Sequence, residues 1–264
     1  MVSGNRDLFE GELREPFGDL VEALSERFSA AGLGLRGDRK KSLFRINRDV
    51  RFARDKRPYN RHLSAILSPD GTKMEQGVFF VHIGLERCFA GVAWWQPGPA
   101  LLLAMRNTIA TRPGEFRALI EALKQNRLEL DAEGCMKRAP RGFEHFMAAD
   151  LAAAIRNRHF AVRHEIDPAG IHGPALVDDL VDFALRAKPL LDWGRAIAAK
   201  VPVTEHLAER ARLNLRRGIT SADRWLKRIG VTRLTALPTY DLSPRIGPKI
   251  GIDFRMARRV DSKC

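Results

Sequence analysis

The chain has 264 residues, of which 45% are hydrophobic, and it carries a formal net charge of +13 at pH 7. This hydrophobic content is enough to bury a core, which excludes a wholly disordered chain. The basic balance favours an anionic partner, such as a nucleic acid or a small molecule that bears phosphate or carboxylate groups.

The positive charge is concentrated in two segments. Residues 41–62 contain eight Lys or Arg against two Asp, and residues 201–264 contain fourteen Lys or Arg against six acidic residues. The rest of the chain is close to neutral, with a net charge of −1. These two segments, rather than the whole surface, are therefore where an anionic partner is expected.

The sequence also limits the compartment and the metal chemistry. No apolar run follows a basic head at the amino terminus, and the longest apolar run, near residues 99–105, is too short to cross a membrane. The three cysteines are scattered without a C-x-x-C pair, which argues against a disulfide framework and a structural zinc site. We therefore expect a cytoplasmic protein that has no membrane contact, no bound metal and no cofactor.

Hydrophobic periodicity predicts both strands and helices. The predicted strands are residues 42–51, 62–67, 77–85, 88–96 and 159–166, with a tight E-R connection that makes a hairpin of the third and fourth. The predicted helices are one that begins at Pro16 and ends before Gly32, then 101–110, 115–123, 148–158 and a helix-rich segment at 173–199. Adjacent strands followed by helices indicate an α+β fold with a mixed, largely antiparallel sheet flanked by helices.

The pattern changes near Pro202. Residues 205–229 keep a helical period with many arginines, whereas residues 231–264 contain three prolines and no sustained period. We expect a single main domain at 1–200, a basic amphipathic helix at 201–230 and a disordered or extended tail at 231–264.

The basic segment at 42–52 raises a charge problem. Alternation on a strand would place Arg48 among apolar side chains, and Arg45 and Arg51 with Asp49 on the opposite face. An unpaired charge in an apolar layer is costly, so Arg48 needs a partner. Two interpretations stay open: an internal ion pair, or a cavity in which arginines bind an anion through paired hydrogen bonds.

Three other stretches could complete such a cavity. The turn-prone residues 53–62 bring hydrogen-bond donors to the strand end, the basic turn 136–143 could form a second wall, and Arg106 is expected to face the sheet and pair with a carboxylate or the ligand. The predicted ligand-binding residues are Arg45, Arg48, Asp49, Arg51, Lys56, Tyr59, His62, Arg106, Lys137 and Arg141.

Several motifs resemble an uncharacterised family, the "domain of unknown function 2461". They are K-S-L-F-R-I-N-R-D-V-R-F-A-R-D-K-R-P-Y-N-R-H, F-V-H-I-G, G-V-A-W-W-Q-P, A-M-R-N-T-I-A and M-K-R-A-P-R-G-F-E-H, in that order along the chain. The resemblance covers about residues 5–200, joins the family pattern inside its usual opening segment, and does not extend to residues beyond about 200. It implies a mixed α/β domain and no established activity.

Known catalytic signatures are absent from the sequence: it has no H-E-x-x-H, no G-x-x-x-x-G-K-[ST], no G-x-S-x-G and no G-x-G-x-x-G that opens a helix. Three functions remain open. The first is a pocket for an anionic small molecule, where Asp49 or His62 would be the nearest candidate for a general base. The second is nucleic-acid binding through the same arginines, and the third is a structural module with internal ion pairs. Neither enzymatic activity nor oligomeric state follows from the sequence.

Overall fold

The computed structural model of the chain describes residues 9–47, 59–132 and 134–202. All of them belong to the first of the chain's two compact units, residues 1–207. The predicted helix at 205–229, the predicted tail and four predicted ligand-binding residues lie outside the described residues. Those four residues are Arg48, Asp49, Arg51 and Lys56.

The described strands form a four-stranded antiparallel sheet whose order follows the chain. They are β1 (His62–Leu67), β2 (Val78–Gly84), β3 (Cys88–Trp94) and β4 (Phe160–Glu165). Aromatic and β-branched residues dominate β2 and β3, and only three residues connect these two strands, as in a tight hairpin. The predicted α+β class with a largely antiparallel sheet is confirmed.

Helices pack around this sheet. They are α1 (Glu15–Ala30), α2 (Pro99–Thr111), α3 (Pro113–Gln125), α4 (Ala152–Arg156), α5 (Leu176–Arg186) and α6 (Lys188–Ala198). Proline occupies the first turn of α2, α3 and α6, where its missing N–H removes no helical hydrogen bond. α1 instead continues from a π-helical turn at Glu10–Arg14, so this helical segment begins before the predicted start at Pro16. The predicted helix at 148–158 is shorter in the structure, because a 3₁₀ turn at Ala149–Leu151 precedes α4.

One face of the sheet forms the main hydrophobic core with the helices. The ring of Phe79 on β2 lies edge-on to Phe28 of α1, with 4.9 Å between centroids, and 6.1 Å from Phe183 of α5. On β4, Phe160 meets Phe116 of α3 at 6.0 Å. Helices α1, α3 and α5 therefore all contact the same face, which we call the core face.

Trp94 connects the end of β3 to α6. Its side chain is buried, and its Nε1 donates a hydrogen bond of 3.1 Å to the carbonyl of Leu190. Gly194, one turn further along α6, lies so close to the indole that a Cβ there would overlap the ring. The neighbouring Trp95 points the other way and its ring lies 4.1 Å from that of His159.

The predicted strand at 42–51 is not regular in its described part. Leu43 bridges Ala65 and Asn47 bridges Tyr59, and the pairing register slips by two residues between these isolated bridges. The slip interrupts the hydrogen-bond ladder, so residues 42–47 flank β1 without forming a continuous strand. The expected alternation survives there, because Arg45 and Asn47 are exposed.

We expect Gly194→Ala to destabilise the fold, although alanine is normally the better helix former by about 1 kcal/mol. The added methyl group would force either α6 or the indole of Trp94 to move, and such overpacking costs about 1–3 kcal/mol. Gly114→Ala on α3 is the matched control, because a Cβ there meets nothing within 4 Å. Urea denaturation of both variants measures the difference, and equal stability of the two would contradict the described packing of α6.

Candidate functional site

The sheet face opposite the core face carries histidines from two of the sequence motifs. His62 on β1 and His82 on β2 have ring centroids 4.5 Å apart. Antiparallel register places Ser64 and Phe89 on this same face. The Ser64 Oγ lies 2.9 Å from His82 Nδ1, and the Phe89 ring stacks on His82 at 4.9 Å. We call these four residues the histidine face.

His82 is an uncharged member of this face at neutral pH. Burial first, and then the nearby His62 and Arg87, together lower the pKa of His82 to about 4. An imidazole with so low a pKa is a weak base, and the Ser64 hydroxyl beside it is buried. The Ser64–His82 contact therefore fits a satisfied polar pair better than an activated nucleophile.

Two arginines border the histidine face, and both are paired. The guanidinium carbons of Arg87 and Arg163 lie 5.4 Å and 5.2 Å from the centroid of the Phe89 ring. Arg87 forms an ion pair with Glu165, and Arg163 forms one of 2.6 Å with the mostly buried Asp131. Because both charges are compensated, this end of the face does not attract an anion strongly.

A second group of basic residues lies at the outer edge of the sheet, beside β1. Lys73 Nζ donates hydrogen bonds to the carbonyls of Leu43, at 2.8 Å, and Lys41. Burial lowers the pKa of Lys73, and the neighbouring Arg45 lowers it further, whereas Asp38 acts in the opposite direction. We call Lys41, Arg45 and Lys73 the basic edge.

The segment that returns to β1 lies next to this edge, as predicted. The backbone N–H of Asn60 donates to the Ile46 carbonyl at 2.8 Å, and its Nδ2 donates to the Arg45 carbonyl at 3.2 Å. Tyr59 is exposed and bridges Asn47. Arg45, Tyr59 and His62 are thus brought to the same end of β1.

Arg106 is buried on α2, with 9% of its surface exposed. Its Nε donates to the carbonyl of Ile155 and its Nη2 to that of Asn157, both at 2.9 Å, and Nη2 lies 3.5 Å from the sulfur of Met136. Arg106 points inward, as expected. The predicted partner is a carboxylate or the ligand. Among the described residues, carbonyls left open at the end of α4 accept the hydrogen bonds of Arg106 and no carboxylate pairs with it, so the ligand stays a prediction.

Two further arginines flank the Asn157 carbonyl that Arg106 contacts. Burial lowers the pKa of Arg106, and the exposed Arg158 lowers it further. The Nε of Arg156 is buried and has no hydrogen-bond partner. We call Arg106, Arg156 and Arg158 the arginine cluster. No carboxylate of the described residues lies within ion-pair distance of any of the three.

The predicted second wall lies beside this cluster. The backbone N–H of Met136 donates to the Arg156 carbonyl at 2.9 Å, so the exposed Lys137 follows directly after a residue that contacts the cluster. Arg141 is also exposed, in a turn where the N–H of Gly142 donates to Glu144 at 2.8 Å. Lys137 is therefore the closer of the two to the cluster along the chain.

The described ligand-binding candidates thus fall into two groups. His62 pairs with Gly84 at one end of the sheet. Asn157 precedes β4, and the first residue of β4 pairs with Trp94 at the other end of the sheet. The outer strands β1 and β4 are separated by three strand spacings, or about 14 Å. Arg45, Tyr59 and His62 are therefore separate from Arg106 and Lys137, and the described residues do not join them in one pocket.

Among the residues of these groups that sequence reasoning missed are His82, Arg156, Arg158, Ser64 and Lys73. His82 lies in the F-V-H-I-G motif, and Arg156 and Arg158 lie in the local run R-N-R-H, so both patterns were available. Ser64 and Lys73 have no local signal, because only strand register and a long-range contact bring them to the site.

Other features of the described residues carry no chemistry of their own. In ranges 9–47, 59–132 and 134–202, no group of three or more His, Cys, Asp or Glu is placed to hold a metal ion. A shallow depression between the ends of α3 and α5 is lined by Asn126 and Arg186, which hydrogen-bond each other's carbonyls and so join the two helices. No described helix is both long enough and apolar enough to cross a membrane.

We expect Arg106→Leu to destabilise the protein by about 2–4 kcal/mol. Two carbonyls lose hydrogen bonds from a charged donor, worth about 1.5–3 kcal/mol each. The variant also no longer has to desolvate a charge, which offsets part of this loss. Arg117→Leu, which breaks an exposed ion pair with Asp150, should destabilise the protein much less. Chemical denaturation gives both values. If Arg106→Leu is as stable as wild type, the free-energy cost of desolvating the charge equals the stabilisation from its hydrogen bonds.

His82 should make stability depend on pH. Its pKa is lowered from about 6.5 in the unfolded chain to about 4, so the unfolded chain takes up a proton first as the pH falls. The stability that the neutral His82 contributes is fully present above pH 6.5 and is lost as the pH falls towards 4. Its size is on the order of 2 kcal/mol after allowing for solvent screening.

The measurement is the difference in unfolding free energy between wild type and His82→Gln from pH 7 to pH 4. Gln can still hydrogen-bond Ser64 but does not titrate. His145→Gln, at an exposed histidine, is the control. A wild-type curve parallel to that of His82→Gln would contradict the buried neutral imidazole.

Comparison with known proteins agrees with this structure. No curated protein and no solved structure matches the chain. The model of one family, described as "Conserved hypothetical protein (DUF2461)", matches residues 2–193, well over half of the chain. The resemblance expected from the motifs is confirmed, and the chain belongs to the DUF2461 family.

Proposed function

We propose that the protein binds a small anionic ligand, bearing phosphate or carboxylate groups, at the arginine cluster. The observation that carries the proposal is that the like charge of Arg158 acts on the buried Arg106, that the neighbouring Arg156 has a buried Nε without a hydrogen-bond partner among the described residues, and that no described carboxylate pairs with any of the three. Like charges held together repel each other, so a bound anion would stabilise their arrangement.

The geometry of Arg106 supports this role. Its two short hydrogen bonds to carbonyls fix the guanidinium but do not cancel its charge. The ion pair of Arg163 with Asp131 is the contrasting case in the same protein, because there a buried arginine is neutralised. The cluster therefore keeps a positive potential at a mostly buried position, where electrostatic attraction is stronger than in water.

The surrounding residues support a ligand that enters from the surface. Arg158 and Lys137 are exposed next to the buried Arg106 and could contact a bound anion directly. The buried Nε of Arg156 is a donor still without a partner. Guanidinium groups bind phosphate and carboxylate oxygens through paired hydrogen bonds, which suits an anion of either class.

The test measures thermal unfolding in inorganic phosphate, sulfate or succinate, each compared with chloride at the same ionic strength. A ligand that binds only the folded state stabilises it by about 2.7 kcal/mol when the ligand concentration is one hundred times its Kd. This stabilisation raises the melting temperature. We expect phosphate to give this rise in wild type, and Arg158→Gln and Lys137→Gln to weaken it by roughly tenfold or more in Kd. Lys124→Gln, which removes one exposed charge from the end of α3, should bind as wild type does.

Three outcomes would count against the proposal. The first is the same melting temperature in every salt, and the second is an anion effect that Arg158→Gln leaves unchanged. The third is binding of an oligonucleotide whose affinity falls steeply with salt while phosphate has no effect, which would favour the nucleic-acid alternative.

The proposal includes a reducing, cytoplasmic location. The thiol of the buried Cys88 supports it, since cysteines outside disulfides are usual in reducing compartments. Cell fractionation that recovers the native protein from another compartment would contradict this part of the proposal.

A further inference from the structure

Lys73 at the basic edge is held in an unusual way for a lysine. Its side chain is half-buried, and its Nζ donates to the backbone carbonyls of Leu43 and Lys41. These carbonyls face away from β1, because the N–H of Phe44 and the carbonyl of Ser42 are the groups that pair with that strand. Lys73 thus covers an open edge of the sheet.

The two carbonyls fix the position of the Lys73 Nζ and are compatible with either protonation state. An ammonium group has three N–H donors and no lone pair, whereas a neutral amine has two N–H donors and one lone pair. The two carbonyls would use both N–H groups of the neutral form and leave its lone pair available. Among the described residues, no carboxylate forms an ion pair with Lys73 that would hold it in the charged form.

The charged groups around Lys73 favour the neutral form. Arg45 is the closest like charge that acts on it, and Asp38 is the acid that opposes Arg45. Asp38 already accepts hydrogen bonds of 2.7 Å from the backbone N–H groups of Lys40 and Lys41, so its charge is partly satisfied. The Phe44 ring, 5.5 Å from Nζ, favours the ammonium but is the weaker influence at a half-buried site. Burial and Arg45 together lower the pKa of Lys73.

We propose that Lys73 is a reactive amine that forms a Schiff base with a small anionic aldehyde. A lysine that is partly desolvated and lies next to another cation is the usual form of a nucleophilic lysine. The exposed Arg45 and Lys41 would attract the phosphate or carboxylate group of the aldehyde. This inference does not depend on the arginine cluster, and either proposal can fail alone.

The chemistry needs no co-reactant. The nitrogen lone pair of the neutral amine attacks the carbonyl carbon and forms a carbinolamine. Loss of water then leaves a C=N bond, with the two hydrogens of the amine and the oxygen of the carbonyl departing together. The neutral imine has no N–H. It then takes up one proton from the solvent, and the N–H of the resulting iminium can donate to the Leu43 carbonyl.

The experiment treats the folded full-length chain with pyridoxal 5′-phosphate, an anionic aldehyde, and traps each imine with sodium borohydride. Peptide mass spectrometry then gives the labelling rate of every lysine. We expect Lys73 to be labelled several-fold faster than the exposed Lys124 in folded protein, and at the same rate in urea. Lys73→Arg should remove this label alone.

Arg45→Gln provides the second readout. It should slow labelling of Lys73 several-fold without changing that of Lys124, because it removes both the like charge and an attraction for phosphate. Arg61→Gln, at an exposed arginine of the neighbouring segment, is the matched control. The proposal is overturned if folded Lys73 is labelled no faster than Lys124, or if the faster labelling persists unchanged in Arg45→Gln.

Discussion

The four-stranded sheet is buried on both faces, and much of the structure follows from this constraint. On the core face, Phe79 and Phe160 pack against aromatic rings of the helices. On the histidine face, Phe80 and Phe89 are equally buried, but they lie among imidazole, hydroxyl and guanidinium groups. Buried polar groups need partners, so this second face is organised by hydrogen bonds and ion pairs rather than by packing alone.

The protein meets this requirement in two different ways for its buried arginines. Arg163 is neutralised by Asp131, which makes it a structural ion pair whose charge has no further effect. Arg106 is satisfied by backbone carbonyls, which complete its hydrogen bonds but leave its positive charge in place. Hydrogen-bond satisfaction and charge compensation are separate requirements, and among the described residues Arg106 meets the first without the second.

Lys73 illustrates the same distinction at the edge of the sheet. Carbonyls satisfy its donors, and the like charge of Arg45 lies nearby. A basic group in such surroundings either binds an anion or gives up its proton, depending on its intrinsic pKa. Arginine keeps its charge under all ordinary conditions, whereas lysine can become neutral, so the two basic regions are suited to different chemistry.

The sequence by itself determined the fold class, the hairpin of β2 and β3, and the family, because periodicity and turn residues are local properties. It also identified Arg106 as an inward-pointing residue, since that position lies on a helix face. Only the tertiary structure decided that carbonyls of α4 hold Arg106, that Lys73 reaches Leu43, and that the basic residues form two groups at opposite edges of the sheet. These features depend on strand order and on contacts between residues distant in sequence, which a one-dimensional pattern of charge does not contain.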